Sequence, residues 1–514
     1  MSSKTKRFLM ALDFGTGAGR CFIIEVGGRE NSSAYSEWAF DAPPDAQPGG
    51  FSFDPEVFWK TLGQAAKSAM KRGGVDPAQI VAVSSTSLRE GFVLLDGSGQ
   101  EIFAVPNRDA RAWAESMEIS QRLGQAMNDV SGHWPNPIMA PSRFLWLQRH
   151  KPEIVDQART LLMINDWILY RLCGERACEP TNAAETCLYD IAEHRWDENL
   201  LRDCQIPVDI FPPIMYGGQV LGTVTAAAAK VTGLVPGTPV VVGGADTQCG
   251  VLGSGAVEPG AVVVVAGTST PNQMVLDSPV IDERGRTWSG PHIPAGRWVL
   301  ESNAGSTGSV LRWFRDSFCQ EEIAVARDTG ENVYHLMEQL AQQSPIGSVG
   351  MTALVGSGVM NARHILTTAL SGFVMGNARG MLAETDSKRH FIRALQESHA
   401  FAVRGNCEQL QGISGQMIER LMVCGGCSVS DFWMQMVADV MGMAVSRPVI
   451  SEASAVGAAI CAGVGAGEYA DLTQGMDALV TLRDHFEPNA ESHAAYEGAY
   501  RRWLELRGYV SSNM

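Results

Sequence analysis

The stretch Val240-Val-Val-Gly-Gly-Ala-Asp-Thr-Gln-Cys-Gly-Val-Leu-Gly-Ser-Gly255 constrains this chain more than any other, because an apolar run ends on a glycine pair and then on one acid. Val240, Val241 and Val242 read as a buried strand, and Gly243 and Gly244 let the backbone leave it in conformations that a side chain forbids. The period then changes: Thr247 to Leu252 predicts the first turns of a helix that begins at Asp246. A carboxylate between strand and helix, beside bare backbone, is placed to act as a general base toward a hydroxyl. Asp is also a favoured helix cap, so the junction alone leaves both readings open.

At 514 residues the chain is too long for one hydrophobic core. A formal charge of −16 excludes nucleic-acid binding through a basic face, since phosphates call for clustered Lys and Arg. Apolar runs such as Ala261–Ala266 fall far short of the ~20 residues of a membrane-spanning helix, so no membrane partner is expected. Asp13 stops the apolar segment that follows Arg7 after five residues, which predicts a short tail leading into a strand rather than a signal peptide. The 11 scattered cysteines suit reduced thiols and a cytoplasmic protein. Cys424-Gly-Gly-Cys427 has redox spacing, but the second such pair that a zinc ribbon needs does not exist.

Two stretches share one scheme. Phe8 to Val26 reads as a strand, a turn containing Gly15, Thr16, Gly17 and Gly19, and a second strand carrying Arg20. A dinucleotide fingerprint fails at Arg20, and the following Cys-Phe-Ile-Ile is not helical. A tight turn with exposed N–H groups, the Thr16 hydroxyl, Arg20 and Asp13 suits phosphate and its metal ion, though a plain hairpin turn has the same outline. Ala261 to Leu276 repeats the pattern around Gly267 and Thr268. This echo suggests two similarly built domains, 1–257 and 258–514, divided at Glu258-Pro259-Gly260.

Arg89 and Glu90 fall in a polar break between two predicted strands, where they either share a polyol or form a solvated turn. Asp109 carries the same ambiguity. His133, Trp134 and the prolines at 135, 137 and 141 predict a loop that overhangs a pocket. In the second half Arg420 to Cys424 reads as a strand, Gly425 and Gly426 as bare backbone flat enough for an adenine and its ribose, and Ser428 with Asp431 as a capping box. Phe432 to Met441 has helical spacing, and Ser454 to Gly463 predicts a helix of small residues that allows close approach of a neighbour or ligand. Beyond about Gly467 a polar helical tail without chemistry is expected.

In this order the blocks resemble the FGGY family of carbohydrate kinases, a branch of the actin, hexokinase and Hsp70 ATPase superfamily. The likeness spans about residues 8 to 480 and includes Asp13-x-Gly15-Thr16-x-x-x-Arg20, Gly243-Gly244-x-Asp246, Gly267-Thr268, Gly425-Gly426-x-x-x-Ser430-x-x-Trp433 and Glu452-x-Ser454-Ala455-x-Gly457. It implies an α/β chain of two ribonuclease-H-like domains flanking a catalytic cleft. Sugar would lie mainly on the first domain and ATP on the second. By the same likeness Asp246 is the general base, Asp13 holds Mg2+, and Arg89, Glu90 and Asp109 contact the substrate. Gly15, Thr16, Gly17, Arg20, Gly267 and Thr268 would hold phosphates, with Gly425, Gly426 and Ser430 around the adenine. Relatives are often dimers, so a homodimer is expected.

The chain departs from the family at Thr16-Gly17-Ala18, which offers fewer hydroxyls than the usual turn, and at Pro271, which has no N–H to donate. Ser87-Leu-Arg89-Glu90-Gly91, Ile164-Asn-Asp166-Trp167 and Arg312 to Cys319 look most like the autoinducer-2 kinase branch, whose substrate is a linear five-carbon dihydroxydione. A pentulose or glycerol-like substrate, or a catalytically silent ligand sensor on the same fold, are the alternatives.

Overall fold

Seven consecutive buried residues, Phe8–Phe14, form β1, the centre of the first sheet. A strand without an exposed face has to be covered on both sides. The computed structural model, which describes residues 6–364, 371–376 and 387–512, shows how this is done. β1 turns through Gly15–Gly17 into the antiparallel β2 (Ala18–Glu25), with Asp13 opposite Arg20, and β2 pairs with the antiparallel β3 (Asn31–Glu37). On its other side β1 lies parallel to β4 (Ile80–Ser87), and β4 lies parallel to the strand Pro239–Ala245. Val220–Thr223 closes that edge.

The helix Pro55–Gly73 covers one face. Its Asp54 cap accepts from the Glu56 and Val57 N–H groups, and it stops at Gly74 in the left-handed conformation. Phe58 from this helix stacks with Phe14 of β1 at 5.5 Å and packs against Trp38 and Phe53. Each such buried aromatic contributes about 1.5–3 kcal/mol by removal from water.

A second sheet repeats the path. Ala261–Val265 is central, antiparallel to Pro271–Leu276 and parallel to Arg420–Cys424, which is parallel to Val445–Pro448. Trp298–Asn303 lies outside Pro271–Leu276, and Leu482–Phe486 forms the opposite edge. In both sheets a hairpin begins the series, the next strand or strands extend it beyond the hairpin's second strand, and the three that follow are laid beside its first strand. This is the ribonuclease-H-like arrangement, so the short Gly-Thr echo in the sequence marks a repeated topology.

The chain does not divide at one point. The first compact unit contains Met1–Pro259, Val275–Leu300 and Glu452–Thr481, and the second contains Gly260–Met274, Glu301–Ser451 and Leu482–Met514. Two segments beyond the expected 257/258 boundary therefore return to the first unit. The reason for the later return is steric. The small-residue helix Ala453–Gly465 meets the helix Asp246–Gly253 at backbone distance: a Cβ on Gly457 would lie 2.0 Å from the Cys249 carbonyl oxygen, and one on Gly253 would lie 1.9 Å from that of Ala453. No larger residues allow that crossing.

The glycine pair at 243 and 244 also differs from expectation. Both residues remain within the strand Pro239–Ala245, and neither has a left-handed φ. They are small because a Cβ on Gly243 would stand 1.8 Å from the Ser85 carbonyl oxygen, and one on Gly244 would stand 2.2 Å from Ile293 Cδ1. Among the described residues no helix is long and apolar enough to cross a membrane.

Gly457→Ala is expected to destabilise the protein by about 1–3 kcal/mol through overpacking against backbone. Gly498→Ala, on an exposed helical site with nothing within 4 Å of its Cβ, is expected to be neutral or to stabilise by up to about 1 kcal/mol. Urea melts of the two variants beside the parent protein check both signs.

Candidate active site

In the first unit the strand Pro239–Ala245 runs directly into the helix Asp246–Gly253. Ala245 occupies the cap position with extended φ and ψ of −63° and 147°, and Asp246 is the first helical residue. The cap, Ala245, has no side-chain acceptor to offer, and Asp246 stands one residue further in, where the Thr247 N–H beside its carboxylate favours the charged form. Asp246 is half-buried. Burial raises its pKa to about 7, Arg89 pulls it down, and Asp13 and Glu185 push it up.

Asp13, on β1, is one of the neighbouring charges. It is buried, and Arg20 Nη1 donates to its Oδ2 at 3.0 Å. Burial lifts the Asp13 carboxyl above its ordinary range while Arg20 opposes the shift. The Arg20 guanidinium is held more firmly protonated, first by Asp13 and also by Asp246 and Glu452. Thr16 and Gly17 are exposed at the hairpin tip, but Gly15 is not an open donor as expected: its N–H is given to the Ala18 carbonyl at 3.0 Å. A Cβ there would stand 2.6 Å from Arg20 Nη1. Gly15 shapes the turn and makes room for the ion pair.

Arg89 and Glu90 are not on a solvated turn, since they are 8% and 5% exposed. Arg89 Nη1 donates to Glu185 Oε1 at 3.1 Å, and its guanidinium lies 5.4 Å from the centre of the Trp288 ring. Glu90 has a positive φ of 62°, and its carbonyl accepts from Arg143. His133 Nε2 stands 3.4 Å from Glu185 Oε2, and its ring stacks on Trp288 at 5.6 Å. Burial alone would raise the pKa of Glu185; Arg89 and His133 overcome it and hold the carboxylate below its ordinary range. Glu185 and Trp288 belong to no motif, and only the proline-flanked loop gave a signal for His133. Its neighbour Trp134 is core, donating Nε1–H to Ser120 Oγ.

Asp109 requires a correction. It has no exposed surface, accepts from the Phe51 N–H at 2.9 Å and from Arg111 Nε at 2.7 Å, and lies 3.2 Å from Arg143 Nε. Its Oδ1 takes both hydrogen bonds and ties loops together, its Oδ2 is buried without one, and the residue has no surface to offer a solute.

In the second unit a cavity of about 370 Å³ is lined by Gly267, Thr268, Tyr334, Glu338, Gly426 and Ser430 among others. Gly426 has nothing within 4 Å of where a Cβ would be, which leaves its backbone open to a flat ring. Gly425 does not line the cavity. It turns the chain with φ +88°, and a Cβ there would press on the Ala266 carbonyl at 2.8 Å. The helix Asp431–Met441 is capped by Ser430, which accepts from the Trp433 N–H at 3.0 Å, and not through Ser428, whose hydroxyl donates to the Gly425 carbonyl at 2.7 Å. All 11 cysteines are free. Burial pushes the Cys427 thiol up to about 11, the opposite of a reactive redox cysteine.

Comparison with known proteins gives this arrangement its context. Residues 8–253 match the N-terminal domain, and residues 262–466 the C-terminal domain, of the FGGY family of carbohydrate kinases. The chain is 37% identical over 500 residues to the autoinducer-2 kinase of Yersinia enterocolitica, covering 96% of this chain and 93% of that one. It is 35% identical over 504 residues to that of Salmonella typhimurium, covering 98% and 94%. Among solved structures, xylulose kinase from Lactobacillus acidophilus superposes with a TM-score of 0.85 at 20% identity over 98% of each chain. Plasmodium falciparum glycerol kinase with ADP superposes with a TM-score of 0.81 at 18% identity, over 98% of this chain and 99% of that one. With two domains of one kinase family covering most of its length, the chain belongs to the FGGY family of carbohydrate kinases and is an ATP-dependent enzyme that phosphorylates a small sugar.

Proposed function

We propose that Asp246 is the general base of this kinase and that the acceptor is autoinducer-2, in its linear dihydroxydione form. One observation carries the assignment of the base: Asp246 stands at the strand-to-helix junction, half-buried, with the charges of Arg89, Asp13 and Glu185 acting on it. A carboxylate raised to about 7 exchanges protons readily near neutral pH. The choice of acceptor is supported by the autoinducer-2 kinases that share 35–37% identity over nearly the whole chain.

In this reading the substrate hydroxyl gives its proton to Asp246 as its oxygen attacks the γ-phosphorus of ATP. The bond to the β,γ-bridging oxygen breaks, and ADP leaves in line. Arg89 and Glu90 hold neighbouring oxygens of the substrate, the guanidinium as donor and the carboxylate as acceptor. In the first unit Thr16, Gly17 and Arg20 offer phosphate contacts, and in the second unit Gly267 and Thr268 do. The cavity beside Gly426 and Ser430 takes the adenine. Among the described residues no three His, Cys, Asp or Glu side chains form a metal cluster. Asp13, a buried carboxylate, offers the oxygen-donor chemistry that a divalent cation takes. Mg2+ held by Asp13 would neutralise phosphate charge. The free thiols, ten of them buried, accord with a reducing cytoplasm.

Asp246→Asn is expected to lower kcat by about 10²–10⁴-fold with little change in the KM for ATP, because the amide accepts no proton. Near parental turnover in a coupled ADP-release assay would remove Asp246 from the base's role. For the pH profile the sign follows from the protonated form being inactive: kcat/KM should rise about tenfold per pH unit toward a bend near 7 and stay level above it. A flat profile between pH 5.5 and 8 contradicts that. Across a panel of autoinducer-2, xylulose and glycerol, the highest kcat/KM is expected for autoinducer-2, and a clear preference for either other acceptor overturns the substrate assignment.

A further inference from the structure

The residue before the base is held by a side chain from elsewhere in the first unit. The Ala245 N–H donates to Thr181 Oγ1 at 3.0 Å. The Thr181 hydroxyl in turn donates to Glu179 Oε2, and the same oxygen accepts from the backbone N–H groups of Thr181 at 2.9 Å and Asn182 at 3.2 Å and from Asn182 Nδ2 at 3.2 Å. Glu179 and Thr181 are 1% and 0% exposed, so the pair is shielded from bulk solvent. A Cβ on Gly244 would stand 3.1 Å from Thr181 Oγ1 and 3.3 Å from Glu179 Oε2, which shows how closely the strand end is pressed on this pair. The short helix Pro180–Ala184 begins at Glu179 and ends at Glu185, the partner of Arg89. One five-residue element therefore fixes the backbone at the base with one end and Arg89 with the other.

We propose that Thr181 is a positioning residue for catalysis: its hydroxyl, oriented by Glu179, sets the backbone at Ala245 and through it the direction of the Asp246 carboxylate. The proposal rests on Asp246 being the base. The hydroxyl serves as acceptor and donor at once, which valine of the same shape cannot do and serine can. Proton transfer to a base displaced by an ångström falls steeply, while nucleotide bound by other residues is unaffected.

The test compares the parent protein with Thr181→Val, Thr181→Ser, Asp246→Asn and the Thr181→Val/Asp246→Asn double variant in the coupled assay, with thermal melts of each. Thr181→Val is expected to lose about 10–100-fold in kcat with the KM for ATP unchanged within about twofold, and Thr181→Ser to recover most of the loss. Because Thr181 acts through Asp246, the double variant should be no slower than Asp246→Asn alone. Parental kcat in Thr181→Val, failure of serine to restore it, or full additivity in the double variant overturns the proposal. Should the valine variant not fold, Thr181→Ala, which only removes the side chain beyond Cβ, takes its place with the same expected and contrary outcomes. Undiminished turnover in Asp246→Asn sinks the assignment of the base instead, so the two failures are told apart.

Discussion

The contact on which the first unit depends is one between two helix backbones. Gly457 faces the Cys249 carbonyl and Gly253 faces that of Ala453, each at a distance where even a methyl group would collide. Helices that approach this closely have little freedom to slide, because any displacement brings Cβ atoms into carbonyls. One of the two carries Asp246 at its first turn. The pair thus gives the carboxylate a rigid mount, and the hydrogen bond from Ala245 to Thr181 fixes the strand that feeds it.

Around that mount, charge is arranged in opposed pairs. Asp13 faces Arg20, and Glu185 faces Arg89 with His133 behind it. Burial raises the carboxyls of Asp13 and Asp246, whereas Arg89 and His133 hold that of Glu185 below its ordinary range. Carboxylates in one neighbourhood are thereby given different protonation behaviour by their surroundings rather than by their chemistry. A substrate bearing hydroxyls finds both a group poised to take a proton and groups that stay charged.

How much of this was legible in the sequence follows from the range of each interaction. The hairpin at Gly15–Gly17, the strand-to-helix junction at Asp246 and the turn at Gly425-Gly426 are local, and residue order alone placed them. The role of the glycines at 243 and 244 was misread, because their constraint comes from Ser85 and Ile293, which are distant in the chain. Asp109 looked like a binding acid next to Arg108 and Arg111, but its fate was decided by Phe51 and Arg143. Glu185, Trp288 and Thr181 left no local signature, since each matters only through a partner brought from a remote segment. The boundary between units was blurred for the same reason: a helix of small residues announces close packing without naming its partner.

The return of Glu452–Thr481 to the first unit has a consequence for biosynthesis. A ribosome that has finished Pro259 has delivered the whole of the first sheet, yet the helix that seals the Cys249 side of the Asp246–Gly253 helix is still about two hundred residues from being made. The nascent chain must carry an open apolar seam while those residues are made, the condition under which vectorial folding exposes a protein to chaperones and aggregation. Completion of the catalytic half is thereby tied to the near-completion of synthesis, so a prematurely terminated chain would lack the support on which its proton acceptor rests.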